Sequence, residues 1–191
     1  MKQSQKNHEM VMMLSQANRP VVFLLTLFFA ACTEHKTETI PTVISCKKIS
    51  ASDMAALDSG KHQLQNGDIV LRTGNDVISG MFAQLNQHDR TFSHCGIAFN
   101  EHDQWMVYHS IGGEDNPDAK LRREPFEKFV GKDHNLGFGI CRYPLTNAQC
   151  QKLEQTVADF YAKQIPFDMK FNLQSDDRLY CAEMVYKAFN R

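Results

Sequence analysis

The chain has one continuous apolar run, residues 21–31, after which apolar positions come in short periodic groups separated by turn-forming residues. Residues 50–59 predict a short helix, with Ser52 or Asp53 as its N-cap and Gly60 as its stop. Asn66-Gly67 predicts a turn into a compact strand at 68–72. After a further turn at Gly74-Asn75, Asp76 caps a helix in which Val77, Ile78, Met81, Phe82 and Leu85 fall on one stripe at helical spacing. Two β-rich runs, 92–99 and 104–110, flank the polar residues 100–103 and predict a hairpin with a four-residue loop. A Gly-, Asp- and Pro-rich surface loop covers 112–118, and a strand covers 138–143, closed by Pro144. Thr146 caps the longest helix, with Leu153, Val157, Phe160 and Tyr161 on one side. An irregular segment at 165–177 precedes a closing helix at 180–189. Strands clustered between helices, joined by a hairpin rather than by βαβ units, predict an α+β fold with an antiparallel sheet and helices packed beside it.

Composition narrows the function classes. A hydrophobic fraction of 42% is enough for a packed core and excludes a disordered chain, and a net charge of −1 offers nucleic acid no broad attraction. The apolar run at 21–31 is too short to span a bilayer. Lys2, Lys6 and Arg19 precede it, it ends in Ala30-Ala31, and Cys32 follows, which is the three-part plan of a secretory signal in its bacterial lipoprotein variant. The expected organisation is therefore a signal peptide at 1–31, a lipidated Cys32 with a polar tether at 32–48, and one domain at 49–191. An ordinary signal peptide with an incidental Cys32 is the plainer alternative. Thr33 after Cys32 is similar to the pattern that directs enterobacterial lipoproteins to the outer membrane, so a lipid-anchored protein facing the periplasm is expected.

Cys46, Cys95, Cys141, Cys150 and Cys181 remain; spacing fixes no pair among them, and an odd count leaves at least one thiol free. CxxC and HExxH patterns are missing from the chain, so neither a metal nor another cofactor is expected. A site built from His88, His94 and His109 would lack carboxylate or thiol ligands at useful spacing.

Two places carry candidate chemistry. In the last helix Cys181, Met184, Val185, Ala188 and Phe189 form an i, i+3, i+4, i+7, i+8 stripe, so the thiol faces inward. A cysteine on such a stripe is equally a small core filler. Its place in the first turn, where free N–H groups and the helix dipole favour a thiolate, is what suits it to act as a nucleophile. In the hairpin, a four-residue loop pairs Phe99 with Gln104 and sets His94 opposite His109 on one sheet face, where one imidazole can orient the other. A five-residue loop would shift the register by one and send the rings to opposite faces. Two histidines on a half-exposed sheet, without catalytic meaning, fit the same pattern.

Three segments in order, Gly67-Asp68-Ile69-Val70-Leu71-Arg72, Ser93-His94-Cys95-Gly96-Ile97-Ala98 and Tyr180-Cys181-Ala182-Glu183-Met184-Val185, resemble motifs of the permuted papain-like amidases of the NlpC-type superfamily, in the YiiX- and YaeF-like branch. Phe167-Asp168 and Phe171 are similar to the aromatic-Asp-x-x-Phe segment ahead of that family's cysteine. The resemblance implies a circularly permuted papain-like fold with the histidine strand ahead of the cysteine helix. It also implies Cys181 as nucleophile, His94 as general base, and His109 at the orienting third position, often Glu in this branch and often His in the wider superfamily. Cys95 stands where Val is usual and Ala182 where Ser is usual. Tyr180 and Asp168 are the candidate substrate contacts, with a packing role and a turn cap as their plainer readings.

The implied reaction is acyl transfer through a Cys181 thioester, with the Cys181 amide as one oxyanion donor and no second donor identified. The expected substrate is a peptidoglycan-type peptide or an amino-acid amide. A lipid ester, thioester or N-acyl amide is the alternative, and apolar groove walls would favour it. A non-catalytic ligand-binding lipoprotein is the third reading; it requires Cys181 to lie away from His94 or to be tied in a disulfide.

Overall fold

The computed structural model describes residues 45–50 and 54–191. The expected signal segment, Cys32 and the tether up to residue 44 lie outside the described residues, as do Ser52 and Asp53, the expected caps of the first helix. The elements run β1 (Ser45–Ser50), α1 (Met54–Gln63), β2 (Asp68–Gly74), α2 (Val77–Leu85), β3 (His94–Glu101), β4 (Gln104–His109), β5 (Arg122–Pro125), α3 (Phe126–Val130), β6 (Asn135–Arg142), α4 (Asn147–Ala162) and α5 (Cys181–Phe189). The strands make one sheet in the order β1-β6-β2-β3-β4-β5, with every neighbouring pair antiparallel. The α+β expectation therefore describes the molecule.

Side chains alternate across a strand, so each sheet face builds its own core. Ile97, Phe99, Met106 and Tyr108 project to the face covered by α4 and α5, where Val157 and Met184 are fully buried. Ala98, Val107, Val70 and Phe138 project to the other face, against Phe126, Phe129 and Val130 of α3. Thr146 caps α4 through a reciprocal pair of bonds: its amide donates to Gln149 Oε1 at 2.9 Å and its Oγ1 accepts from the Gln149 amide at 3.3 Å. Buried Asp68 accepts two bonds from the Arg142 guanidinium, both at 2.7 Å, and so ties β2 to β6.

Several expectations need correction. Residues 45–48, expected to end the tether, belong to β1, and Cys46 pairs with Cys141 in register across β1 and β6 as a disulfide with Cα atoms 4.1 Å apart. Gly60 does not stop the first helix but sits inside it; a Cβ there would come within 2.8 Å of the Phe138 ring, so the missing side chain makes room for a core aromatic. The hairpin loop has two residues rather than four. Glu101 pairs with Gln104, and His102 and Asp103 take φ values of 51° and 66°, the left-handed pair that a tight hairpin turn needs. Helix α2 forms where expected, with the Asp76 Oδ1 accepting from the Ser79 amide at 2.8 Å. Its apolar stripe, however, faces outward: exposure runs from 39% at Phe82 to 80% at Val77.

Candidate active site

The two-residue turn moves the register of β3 on β4 by two positions from the expected one. Because an even shift keeps every side chain on its face, His94 and His109 still share a face and meet diagonally. His94 Nε2 lies 2.9 Å from His109 Nδ1. Gly96 makes this approach feasible: a Cβ there would stand 2.6 Å from Val107 Cγ1 and 3.0 Å from the His109 Cβ. The same diagonal step repeats on the next strand. Val107 pairs with Glu124, which places Glu124 beside His109 on that face, its Oε2 3.6 Å from His109 Nε2. His94, His109 and Glu124 thus form a line across β3, β4 and β5.

Phe129 of α3 packs under this line. Its ring centroid lies 5.7 Å from that of His94 and 4.9 Å from that of His109, and the Arg72 guanidinium sits 4.7 Å from its centre. Arg72 also donates to the Phe129 carbonyl at 3.0 Å. Only 1% of His109 is exposed; burial pushes its pKa down to about 4, so the ring is neutral across the physiological range. Glu124 is held at about 2, chiefly by His109, with a further contribution from Lys128, whose Nζ lies 3.2 Å from Oε1.

Cys181 is the first residue of α5, whose Tyr180 amide donates to Glu183 Oε2 at 3.2 Å. The buried Ser110 hydroxyl donates to the Leu179 carbonyl at 2.6 Å and so fastens the approach to the helix onto the end of β4. Helix α5 packs against β3, and the Cys181 sulfur meets both Cys95 and His94. A bond from the Cys95 thiol, the His94 imidazole and the Cys95 backbone N–H hold the Cys181 thiol well below its ordinary range, against burial, which acts the other way. The same bond, together with burial, pushes Cys95 well above the ordinary range, so of the two thiols Cys181 is the more readily ionised.

These groups open into a cleft of about 530 Å³. Ile78, Phe82 and Leu85 of α2 with Phe167, Phe171 and Tyr180 give it an apolar wall, and Arg72, Asp76, Ser79 and His134 are among its polar lining. Tyr180 thus reaches the cleft as expected. Asp168, the other candidate substrate contact, does not: its oxygens accept from the Lys170 and Asn172 backbone amides, at 2.9 and 2.5 Å, and cap a turn. That turn carries Phe171 at φ 52° and sets its ring 5.9 Å from Phe82 and 5.2 Å from Tyr180. Asp168 therefore shapes the wall rather than touching what fills the cleft.

Sequence reasoning missed Glu124, Arg72 and Phe129. Arg72 lay inside a recognised motif without a role. Glu124 stands in Arg-Arg-Glu-Pro, which reads as polar loop until its pairing with β4 is known. Among the described residues no group of three His, Cys, Asp or Glu is arranged to hold a metal ion; His88 is in the exposed loop after α2.

Residues 63–191 match the model of the family described as "Permuted papain-like amidase enzyme, YaeF/YiiX, C92 family". Over 129 residues the chain is 28% identical to the uncharacterized protein YiiX of Escherichia coli K12, which covers 66% of this chain and 58% of that relative. A crystal structure titled as that of the metalloprotein YiiX from Escherichia coli O157:H7 superposes with a TM-score of 0.53 and 28% identity, covering 67% of this chain and 66% of that one. The chain thus spans under two thirds of the length of these relatives. The matched residues take in β2, the histidine strand and the cysteine helix in the permuted order, and the chain belongs to the permuted papain-like amidase family.

Proposed function

We propose that this cysteine-dependent amidase acts through Cys181, His94 and His109, with Glu124 behind them, on amides whose acyl portion is apolar. The observation that carries the reading is the line from the Cys181 thiolate to His94, His109 and Glu124 at the floor of an apolar cleft.

Proton positions follow from the end of the line. A carboxylate is acceptor-only, so it favours a proton on the facing His109 Nε2, with which it makes a close electrostatic contact at 3.6 Å. Neutral His109 then carries its lone pair on Nδ1 and accepts from His94 Nε2–H. His94 is left with a basic Nδ1 to hold the thiol proton of Cys181. The thiolate attacks the amide carbonyl, and the oxyanion meets the Cys181 amide at the start of α5. His94 gives its proton to the leaving amine as the C–N bond breaks, leaving a thioester. Water loses a proton to His94, attacks the thioester and releases the carboxylic acid, which returns the site to its starting state.

A peptide-like amide is what the family implies in general. The walls formed by Ile78, Phe82, Leu85, Phe167 and Phe171 favour an acyl chain on the carbonyl side over a polar stem peptide. We further propose that the chain is exported and held by a lipid on Cys32 at a membrane facing the periplasm. The Cys46–Cys141 disulfide supports an oxidising compartment. The test is hydrolysis of a series of N-acyl amides of increasing acyl length, alongside acyl-free dipeptide amides. Turnover should rise with acyl length and vanish in Cys181→Ala and His94→Ala. Preference for the acyl-free series would return the substrate to the peptide class, and unaltered thiol labelling in His94→Ala would end the nucleophile–base assignment.

A further inference from the structure

Helix α2 concentrates apolar exposure as no other described element does. Val77, Ile78, Met81, Phe82 and Leu85 are all exposed, and Phe171, itself 44% exposed, extends the surface through its contact with Phe82. The helix carries no charged side chain between Val77 and Leu85. Helix stripes of this kind are buried against a core in water-soluble folds, so a surface this apolar needs a cover. Its position restricts what the cover can be. Ile78, Phe82, Leu85 and Phe171 are at once part of the exposed surface and walls of the cleft that holds Cys181. A protein partner or a second copy seated on them would close the mouth of the cleft and shut the substrate out. A fluid apolar phase would cover the same side chains and leave the route open.

We infer that α2, with Phe171, is the surface by which this enzyme docks on a lipid bilayer, and that the substrate's acyl chain passes from the bilayer along Ile78, Phe82 and Leu85 to Cys181. The inference rests on the reading of the cleft as an acyl site. The N-terminal sequence fits it: were Cys32 acylated, the chain from Cys32 to the start of β1 at Ser45 would reach about 45 Å at full extension, which keeps the domain within range of the membrane. Docking through α2 would lie in the interface plane, as amphipathic helices do, rather than span it.

Val77 and Met81 allow a clean test, since they are exposed and do not line the cleft. The full chain carrying Cys32→Ser, so that no acyl anchor contributes, is compared with the same chain carrying Val77→Glu and Met81→Glu. Amide hydrogen exchange of residues 77–85 is followed with and without mixed phosphatidylethanolamine–phosphatidylglycerol vesicles, which separates contact by α2 from contact by the apolar segment at 21–31. Vesicles should slow exchange across 77–85, and the double substitution should weaken that protection about tenfold or more, the scale expected when two apolar anchors become charges. Turnover of a soluble short-chain amide should be unchanged by the double substitution. Unaltered exchange at 77–85 in the presence of vesicles overturns the inference, as does protection that grows with protein concentration without vesicles, which would mark a second copy as the cover. Vesicle protection of α2 in an enzyme that hydrolyses no acyl amide would leave the docking surface standing and remove the acyl-amidase reading instead.

Discussion

Replacing Glu124 with Gln removes one charge while keeping a side chain of the same shape beside His109, so it separates the charge from the geometry. The charge acts on the imidazolium that His94 becomes when it takes the Cys181 proton. The His94 and His109 ring centroids are 5.0 Å apart, and Glu124 Oε2 lies 3.6 Å beyond His109 Nε2. Across a separation of about 8 Å, at an effective dielectric of about 20, a carboxylate stabilises an imidazolium by about 2 kcal/mol, about a thirtyfold effect. Losing it makes the thiolate–imidazolium pair less favoured, by the same factor, over the neutral thiol–imidazole pair, since the proton passes internally from Cys181 to His94. The rate of Cys181 alkylation by iodoacetamide at neutral pH should therefore fall, by up to about thirtyfold, and kcat for amide hydrolysis should fall with it. Lys128→Met is the control, because it cuts the ion pair that Glu124 makes through its other oxygen, Oε1, with the exposed Lys128; it should leave both quantities within about threefold of the parent, as an ion pair to a solvent-exposed lysine contributes little. A stably folded Glu124→Gln with an unchanged alkylation rate would refute the reasoning. So would a Lys128→Met that slows alkylation as far, since the effect would then belong to the general field around β5.

Cys95→Val removes the thiol that donates to Cys181, so the alkylation midpoint should rise, by about one to two pH units, the worth of one hydrogen bond to a charged sulfur; an unchanged midpoint would assign the thiolate to His94 and the backbone N–H of residue 95. Gly96→Ala puts a Cβ 2.6 Å from Val107 Cγ1 and 2.7 Å from the Tyr108 carbonyl, and should destabilise the fold by about 1–3 kcal/mol in urea unfolding while costing far more in activity; full activity would mean that the His94–His109 contact needs no such closeness. His109 gives the acid limb of stability. Its pKa is about 4 in the fold and near 6.5 unfolded, so below 6.5 the unfolded chain takes up a proton that the folded one refuses. The stabilisation is complete above pH 6.5 and is lost as pH falls towards 4, by up to about 3 kcal/mol. His109→Gln should flatten that limb when urea unfolding is compared at pH 7 and 4.5; an equal acid loss in the variant would place the effect elsewhere.

How far the sequence reveals the molecule depends on which interactions are local. Thr146 and Gln149 are three residues apart and Asp76 and Ser79 likewise, so the caps of α4 and α2 were legible. The shared face of His94 and His109 survived a misread loop because only the parity of the register decides a strand's face; the two-residue turn was hidden because His102-Asp103 lacks the glycine that usually marks it. Glu124 and the Cys46–Cys141 bond depend on which strands become neighbours across long separations, and nothing in local pattern encodes that. The α2 stripe shows the opposite failure. Its periodicity was read correctly, but periodicity reports that a face is apolar, not what it lies against.

The departures from the family's usual residues make sense together in this arrangement. A glutamate at the third position would place a full charge directly against the base. Here that position holds a neutral imidazole, and the charge stands one strand further out, on Glu124. Moving a charge from about 4 Å to about 8 Å halves its Coulomb effect on the His94 imidazolium. Cys95, where Val is usual, acts in the same direction as the missing charge, because its thiol stabilises the Cys181 thiolate. The ion pair is thus supported from both ends: from the sulfur side by Cys95, and from the imidazole side by a relay over Phe129. It follows that Glu124→Gln and Cys95→Val act on separate partners of one pair. Their effects on the rate of Cys181 alkylation at one neutral pH, expressed as free energies, should add to within about 0.3–0.5 kcal/mol, and a double variant that slows no further than either single one would show that a single group sets the thiolate.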